Sequence, residues 1–174
     1  MDVRHDLKEQ YHAALAMLAD CVEKCPDDLW TSGTPPRTFW RIAFHAAFFG
    51  HLYLGQNSEA FQPWTAGPPE FSALWESSLA VEPFELPEQI RPLSRPEALD
   101  YIAYVDGLVD PAIDALDLDA SETGFGWYKG MSKLSHEIMS VRHVQGHVGQ
   151  LSELLMARGI DTDWLGKSPS APRS

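Results

Sequence analysis

Four long stretches of this chain repeat apolar residues at three- and four-residue intervals, and this helical periodicity constrains its fold more than any other feature. The stretches span residues 3–25, 35–56, 94–116 and 132–158. None of them alternates apolar and polar residues as a half-buried strand does. The pattern predicts an all-α protein, a four-helix bundle in which the long segment 57–93 forms a crossover between the second and third helices.

The ends of these helices carry local signals. Thr34 is a good N-cap, and Pro35 after it suits the first position of a helix. Ser94 followed by Glu97 has the spacing of a capping box, and Gly159 is a suitable residue for a helix C-terminus. These signals place the starts of the second and third helices and the end of the fourth.

The rest of the chain is expected to form one domain over residues 1–165, with a disordered tail at 166–174. Within the proline-rich connector, a short helix is expected near residues 69–78. Loops this long are usually functional. The aromatic loop residues that are candidates for the wall of a pocket are Trp64, Trp75, Phe125 and Trp127.

Composition excludes some functions. The formal net charge is −12, and the 13 Lys and Arg residues form no cluster. Nucleic-acid binding depends largely on basic side chains that displace counterions from phosphates, so a nucleic-acid partner is not expected. No apolar run reaches the roughly 18–20 residues of a membrane span. The N-terminus is charged and lacks an apolar signal region, so we predict a cytoplasmic protein without a membrane partner.

The two cysteines, Cys21 and Cys25, are expected to be small half-buried thiols of the first helix.

Two histidines stand four residues apart in the segment "RHVQGHVGQL" of the fourth helix, His143 and His147. On a helix their Cβ atoms lie about 5–6 Å apart, so both imidazoles can converge on one ion. A stable divalent site needs at least a third ligand, and the best candidate is His45 inside the apolar second helix. His51 on the same helix and His136 on the fourth helix are further candidates.

A hydrogen-bonded pair of core histidines is the alternative to a metal site. A zinc-protease site is excluded, because Val144 occupies the position that the motif HExxH gives to its glutamate. The nucleophile motif GxSxG and a phosphate-binding P-loop are also absent. Glu137 fits either a first-turn acid favoured by the helix N-terminus or a proton acceptor near the metal. Gln150 is placed to orient a ligand or a water.

The order and spacing of these histidines resemble the DinB-like (DinB/YfiT) superfamily. The stretches that carry the resemblance are "FWRIAFHAAFFGHLYL" and "SVRHVQGHVGQLSELLMARGI". The resemblance implies a four-helix bundle with a long crossover and a divalent metal, Zn²⁺ or Ni²⁺, bound by three histidines. By position these are His45, His143 and His147. It also implies a homodimer.

Characterised relatives in this superfamily include thiol-dependent transferases and isomerases, and some hydrolases. The family often has an arginine directly after the last metal-binding histidine, and here that residue is Val148. The resemblance therefore implies the metal site more strongly than any particular substrate.

Three histidine ligands leave a coordination position open, as in catalytic zinc sites. We therefore expect a metal-dependent transferase or hydrolase of a small molecule, with a low-molecular-weight thiol as a candidate cosubstrate. The alternative is a non-catalytic bundle that is stabilised by the metal or senses it. A third alternative is an interaction protein without metal. The sequence assigns no catalytic residue.

Overall fold

The computed structural model describes residues 2–35, 37–67 and 90–169, and these residues form helices and no strand. The all-α class is therefore confirmed for this part of the chain. Its elements are α1 (Val3–Lys24), α2 (Asp27–Trp30), α3 (Phe39–Tyr53), a 3-10 turn (Ser58–Ala60), α4 (Arg95–Ala115) and α5 (Lys133–Met156).

The four long helices pack around one apolar core. Helix α1 packs mainly against α4 and α5, and α3 packs mainly against α5 and α4. Burying one large apolar side chain contributes about 1.5–3 kcal/mol, so this core is the main source of stability. Fully buried side chains come from all four helices and include Tyr11, Leu15, Leu18, Phe39, Leu52, Tyr101, Ile113 and Leu151.

The start of the second long helix differs from the sequence expectation. Helix α3 begins at Phe39 with Thr38 as its N-cap, not at Pro35. Pro35 instead lies in a turn in which the N–H of Arg37 donates to the carbonyl oxygen of Thr34 (2.9 Å). Pro35 itself precedes a proline, and that position disfavours the α conformation. The prolines therefore delay the helix and leave Arg37 in the turn before it.

The other end signals are confirmed. The backbone N–H of Ser94 donates to Glu97 Oε2 (2.7 Å) and the N–H of Glu97 donates to Ser94 Oγ, which completes the capping box of α4. Gly159 has a φ of +74°, and the N–H of Ile160 donates to the carbonyl oxygen of Leu155 (3.1 Å). This geometry ends α5 at a left-handed glycine.

Helix α2 was not foreseen and lies in the connection between the first two long helices. Its Trp30 is buried, and the indole Nε1–H donates to the carbonyl oxygen of Leu93 (2.6 Å). This bond ties the connection to the segment that leads into α4.

Parts of the sequence interpretation fall on residues outside the described ranges. The helix expected near residues 69–78 lies there, together with most of the crossover and residues 170–174 of the tail. Residues 166–169 are described and lie near α1, where Gln10 Nε2 donates to the carbonyl oxygen of Gly166 (3.2 Å). None of the helices in the described part of the chain is both long and apolar enough to cross a bilayer.

Candidate metal centre

The three histidines that the sequence singled out lie together between α3 and α5. His45 comes from α3, and His143 and His147 come from successive turns of α5. One ring nitrogen of each lies within 4.8 Å of the others, so the three side chains could hold a metal ion. The Nε2 atoms of His143 and His147 are 3.0 Å apart. Within residues 2–35, 37–67 and 90–169, no other group of three His, Cys, Asp or Glu side chains meets the same distance limit.

Close packing of the two helices positions this cluster. A Cβ added at Gly50 of α3 would lie 3.3 Å from Cγ2 of Val144, so glycine lets the helices approach here. Val144 is fully buried at the helix contact. His143 and His147 flank it on one side of α5 and therefore face α3. The ring of Phe49 packs against both His45 (4.6 Å between centroids) and His143 (5.3 Å), which restricts how these imidazoles can turn.

Burial and mutual proximity keep the cluster uncharged. The pKa of His45 is lowered to about 3, mainly by burial and in addition by the nearby His147 and His143. Burial and His147 lower the pKa of His143 to about 4. Burial also lowers the pKa of His147, although the hydrogen bond with Gln150 opposes this. At neutral pH all three imidazoles are therefore neutral and can offer nitrogen lone pairs.

A side-chain amide orients one of the imidazoles. His147 Nδ1 lies 2.9 Å from Oε1 of Gln150. An N–H on Nδ1 can donate to this oxygen, which leaves Nε2 unprotonated and directed at the cluster. Metal-binding histidines commonly have such an acceptor at the second ring nitrogen. Gln150 thus orients a candidate ligand, as the sequence suggested.

The donor set suits a divalent metal of the zinc or nickel kind. Three neutral imidazoles are good ligands for Zn²⁺ and Ni²⁺. The Nε2 atoms of His143 and His147 lie at hydrogen-bond distance (3.0 Å), so only one of them carries the proton that they share. His143 Nδ1 is also buried without a hydrogen-bond partner among the described residues. Without a cation, the cluster thus leaves a buried ring nitrogen without a hydrogen bond. With a cation, its three imidazoles can serve as ligands.

The two other candidate histidines lie elsewhere in the core. His51 Nδ1 is 3.1 Å from the hydroxyl of Tyr101, and its ring packs against Phe61. His136 Nδ1 is 3.3 Å from Oε1 of Glu137. Neither belongs to the group of converging nitrogens.

Glu137 is fully buried and has a role that the sequence did not indicate. It forms an ion pair with Lys133 (3.0 Å between Nζ and Oε1) and accepts a hydrogen bond from the hydroxyl of Tyr11 at Oε2 (2.6 Å). Burial lowers the pKa of Lys133, while Glu137 opposes this. The carboxylate thus serves a buried polar network, and its bonds are to residues outside the histidine cluster.

The aromatic loop residues pack on the core beside those other histidines. Trp64 stacks on Tyr101 (4.8 Å between centroids), and Phe125 packs against Tyr53 and His136. Trp127 packs against Phe125. Trp75 lies outside the described residues.

Both cysteines are free and fully buried. Burial raises the pKa of Cys21, and it raises the pKa of Cys25 to about 12. Thiols of this kind are poor nucleophiles and poor metal ligands at neutral pH. The two thiols are fully buried rather than half-buried, and Cys25 is the C-cap that follows α1 rather than a residue within it.

The sequence interpretation missed a groove beside the cluster and the arginine at its edge. The groove has a volume of about 580 Å³ and includes Gln150, the residue that bonds His147. Arg37 lines it from the turn before α3. No periodicity marks a residue in a turn, and only the docking of α3 on α5 brings Arg37 near the histidines.

The comparisons with protein-family models, with curated proteins and with solved structures found no match to this chain. Membership of the DinB-like superfamily therefore stays a proposal, and the geometry of the site supports the function proposed for it.

Proposed function

We propose that this chain is a DinB-like protein that binds one divalent metal ion, Zn²⁺ or Ni²⁺, and uses it as a transferase or hydrolase of a small molecule. In the transferase form a low-molecular-weight thiol is the cosubstrate. The observation that carries the proposal is the convergence of His45, His143 and His147 within 4.8 Å.

The chain's own residues account for binding and orientation. The three imidazoles are neutral at pH 7 because burial lowers their pKa values, so they bind a cation without first losing protons. Gln150 fixes the ring of His147, and Phe49 packs against His45 and His143. When bound, a divalent metal lowers the pKa of a coordinated water or thiol and so supplies a nucleophile near neutral pH. Three protein ligands leave room for such a group, and the three side chains are only partly buried.

The same proposal includes the remaining family features: a four-helix bundle with a long crossover, a single domain over residues 1–165, a homodimer and a cytoplasmic location. Val148, which stands where the family often has an arginine, is buried in the core.

A second candidate function is a metal-stabilised or metal-sensing protein without catalysis. It is favoured by the position of the cluster across the contact between α3 and α5, because an ion there would tie the two helices together. No catalytic base is assigned in either case.

Cobalt-substituted protein separates the two functions. Co²⁺ replaces zinc in many sites, and its visible spectrum reports its ligands. Protein purified without a metal-affinity tag is loaded with Co²⁺ and mixed with 2-mercaptoethanol. We expect a new thiolate-to-cobalt absorption band, because the coordination position is open. The variant His51→Asn is a control, since it changes a buried histidine of α3 outside the cluster and should give the same band.

If Co²⁺ binds but neither thiol nor azide changes the spectrum, the position is closed and the structural function is favoured. Metal would then still raise the midpoint of thermal unfolding.

A further inference from the structure

A groove runs along the outer side of α5 next to the histidine cluster. Its volume of about 580 Å³ lies within the roughly 300–1,000 Å³ range of small-molecule pockets. The residues that line it include Arg37, Ile42, Gly146, Gly149, Gln150 and Glu153.

The groove is connected to the candidate metal centre through one side chain. Gln150 lines the groove, and its amide oxygen is 2.9 Å from Nδ1 of His147. Gly146 precedes His147 directly in the chain. A molecule in the groove is therefore separated from His147 by the side chain of Gln150.

Two glycines of α5, Gly146 and Gly149, line the groove with backbone alone. No heavy atom lies within 4 Å of the Cβ positions of Gly146 and Gly149, so no neighbouring element needs them for close packing. Glycine inside a helix costs about 1 kcal/mol relative to alanine. What the two glycines supply is open space next to the histidines.

Arg37 is the positive group at the edge of this space. Its side chain is exposed, and no carboxylate of the described residues lies within ion-pair distance of it. Arg37 lines the same groove as Gln150, whose amide oxygen is 2.9 Å from Nδ1 of His147, so the guanidinium shares this space with a residue that contacts the cluster. A guanidinium can bind a carboxylate through two parallel hydrogen bonds.

The charge of the whole chain makes this position distinctive. With a formal net charge of −12, most of the protein repels anions. Arg37 and a divalent ion at the histidines would together form a locally positive region. Glu153 on the same groove disfavours a second negative charge on the bound molecule. A ligand with one negative charge fits this arrangement best.

We propose that Arg37 binds the carboxylate of a small monoanionic substrate, whose body lies in the groove and whose reactive end reaches the histidine cluster. This inference rests on the proposed metal site and adds the class of substrate.

Binding to the cobalt-loaded full chain tests this inference without an activity assay. The probes are mercaptoacetate, mercaptopropionate and mercaptobutyrate, each compared with the mercaptoalcohol of the same chain length at constant ionic strength. Binding is followed by the thiolate-to-cobalt band. We expect at least one acid to bind about tenfold tighter than its alcohol, since a hydrogen-bonded charge pair contributes on this scale.

The variant Arg37→Gln should bring the acid and the alcohol to equal affinity. The matched control is Arg142→Gln, which removes the same charge from an exposed arginine of α5 outside the groove, and it should keep the preference. Equal affinities in the unaltered protein, a preference that survives Arg37→Gln, or an equal loss in both variants overturns the inference.

The two proposals fail differently. If Co²⁺ binds in a one-to-one ratio but no acid is preferred, only the carboxylate site is wrong. If Co²⁺ does not bind in that ratio, the metal site is wrong and the carboxylate site falls with it.

Discussion

The half-buried histidines of the cluster differ from the two fully buried histidines in what their ring nitrogens face. Nδ1 of His51 faces a tyrosine hydroxyl and Nδ1 of His136 faces a carboxylate, although Nε2 of His136 has no partner among the described residues. His45, His143 and His147 face one another. The Nε2 atoms of His143 and His147 can share one proton, but Nδ1 of His143 is buried without a hydrogen-bond partner among the described residues. A bound cation would accept the nitrogen lone pairs that converge in the cluster.

Two ion pairs with the same four-residue spacing allow a direct comparison of buried and exposed charge. Lys133 and Glu137 are fully buried, whereas Asp20 and Lys24 are partly exposed. We expect Glu137→Gln to lower the free energy of unfolding by about 3 kcal/mol, because the buried charge of Lys133 loses its carboxylate and keeps only the carbonyl oxygens of Tyr53 and Gly55. The control Asp20→Asn should cost less than about 1 kcal/mol. Urea unfolding measures both, and similar losses in the two variants would contradict the burial of this pair.

His51 should make stability depend on pH. Burial lowers its pKa to about 4 in the folded protein, while an unfolded histidine titrates near 6.5. The unfolded state therefore binds the extra proton first, and stability is lost as pH falls from about 6.5 towards 4. Between pH 7 and 5 this amounts to roughly 2 kcal/mol for one such histidine. Urea unfolding measures the free energy of unfolding at pH 7 and at pH 5. Between these two pH values, His51→Asn should lose roughly 2 kcal/mol less of it than the unaltered protein does. If both lose the same, His51 is not held neutral by the fold.

Among the elements, α5 carries most of the site. It provides His143, His147, Gln150 and both groove glycines within three turns. Periodicity was sufficient to predict this helix, because one continuous apolar stripe extends from its capping serine to the glycine that ends it. The i, i+4 spacing of the two histidines was likewise visible in the sequence.

The features that depend on turns or on helix docking were not predictable from periodicity. The start of α3 was placed at Pro35, because proline suits a first turn, but the adjacent proline and the turn at Arg37 moved the start to Phe39. The sequence does not decide between His45 and His51 as the third metal ligand, because α3 is apolar nearly all round and no single face marks the core. The packing of α3 on α5, which includes the contacts of Phe49 with His143 and of Tyr53 with His136, determines which face of α3 meets α5.

Two glycines, one within α5 and one just after it, lead to opposite expectations. Gly149 is helical with open space around it, so Gly149→Ala should stabilise the protein by up to about 1 kcal/mol. Gly159 has a φ of +74°, so Gly159→Ala should destabilise it by about 1 kcal/mol. Thermal or urea unfolding of the two variants measures both effects. A loss of stability in Gly149→Ala would mean that a neighbouring group packs there and that the groove is not open.

For the whole molecule, the metal should act as a ligand of the folded state. An ion bound between α3 and α5 has no equivalent site in the unfolded chain, so it stabilises the protein by about 2.7 kcal/mol at a free concentration of 100 times its Kd. We expect addition of EDTA to lower the midpoint of thermal unfolding, and added Zn²⁺ to restore it. His143→Ala should show one midpoint with or without EDTA. A midpoint of the unaltered protein that does not respond to chelation would indicate that no metal contributes to its stability.

Metal content tests the central claim most directly. Protein produced without a metal-affinity tag is passed through a desalting column and analysed for zinc and nickel by elemental analysis. We predict about one divalent ion per chain in the unaltered protein and in His51→Asn, and almost none in His45→Ala and His143→Ala, since two histidines do not make a stable site. Stoichiometric metal that survives both alanine substitutions, or no metal in the unaltered protein, would contradict the assignment of His45, His143 and His147 as a metal centre.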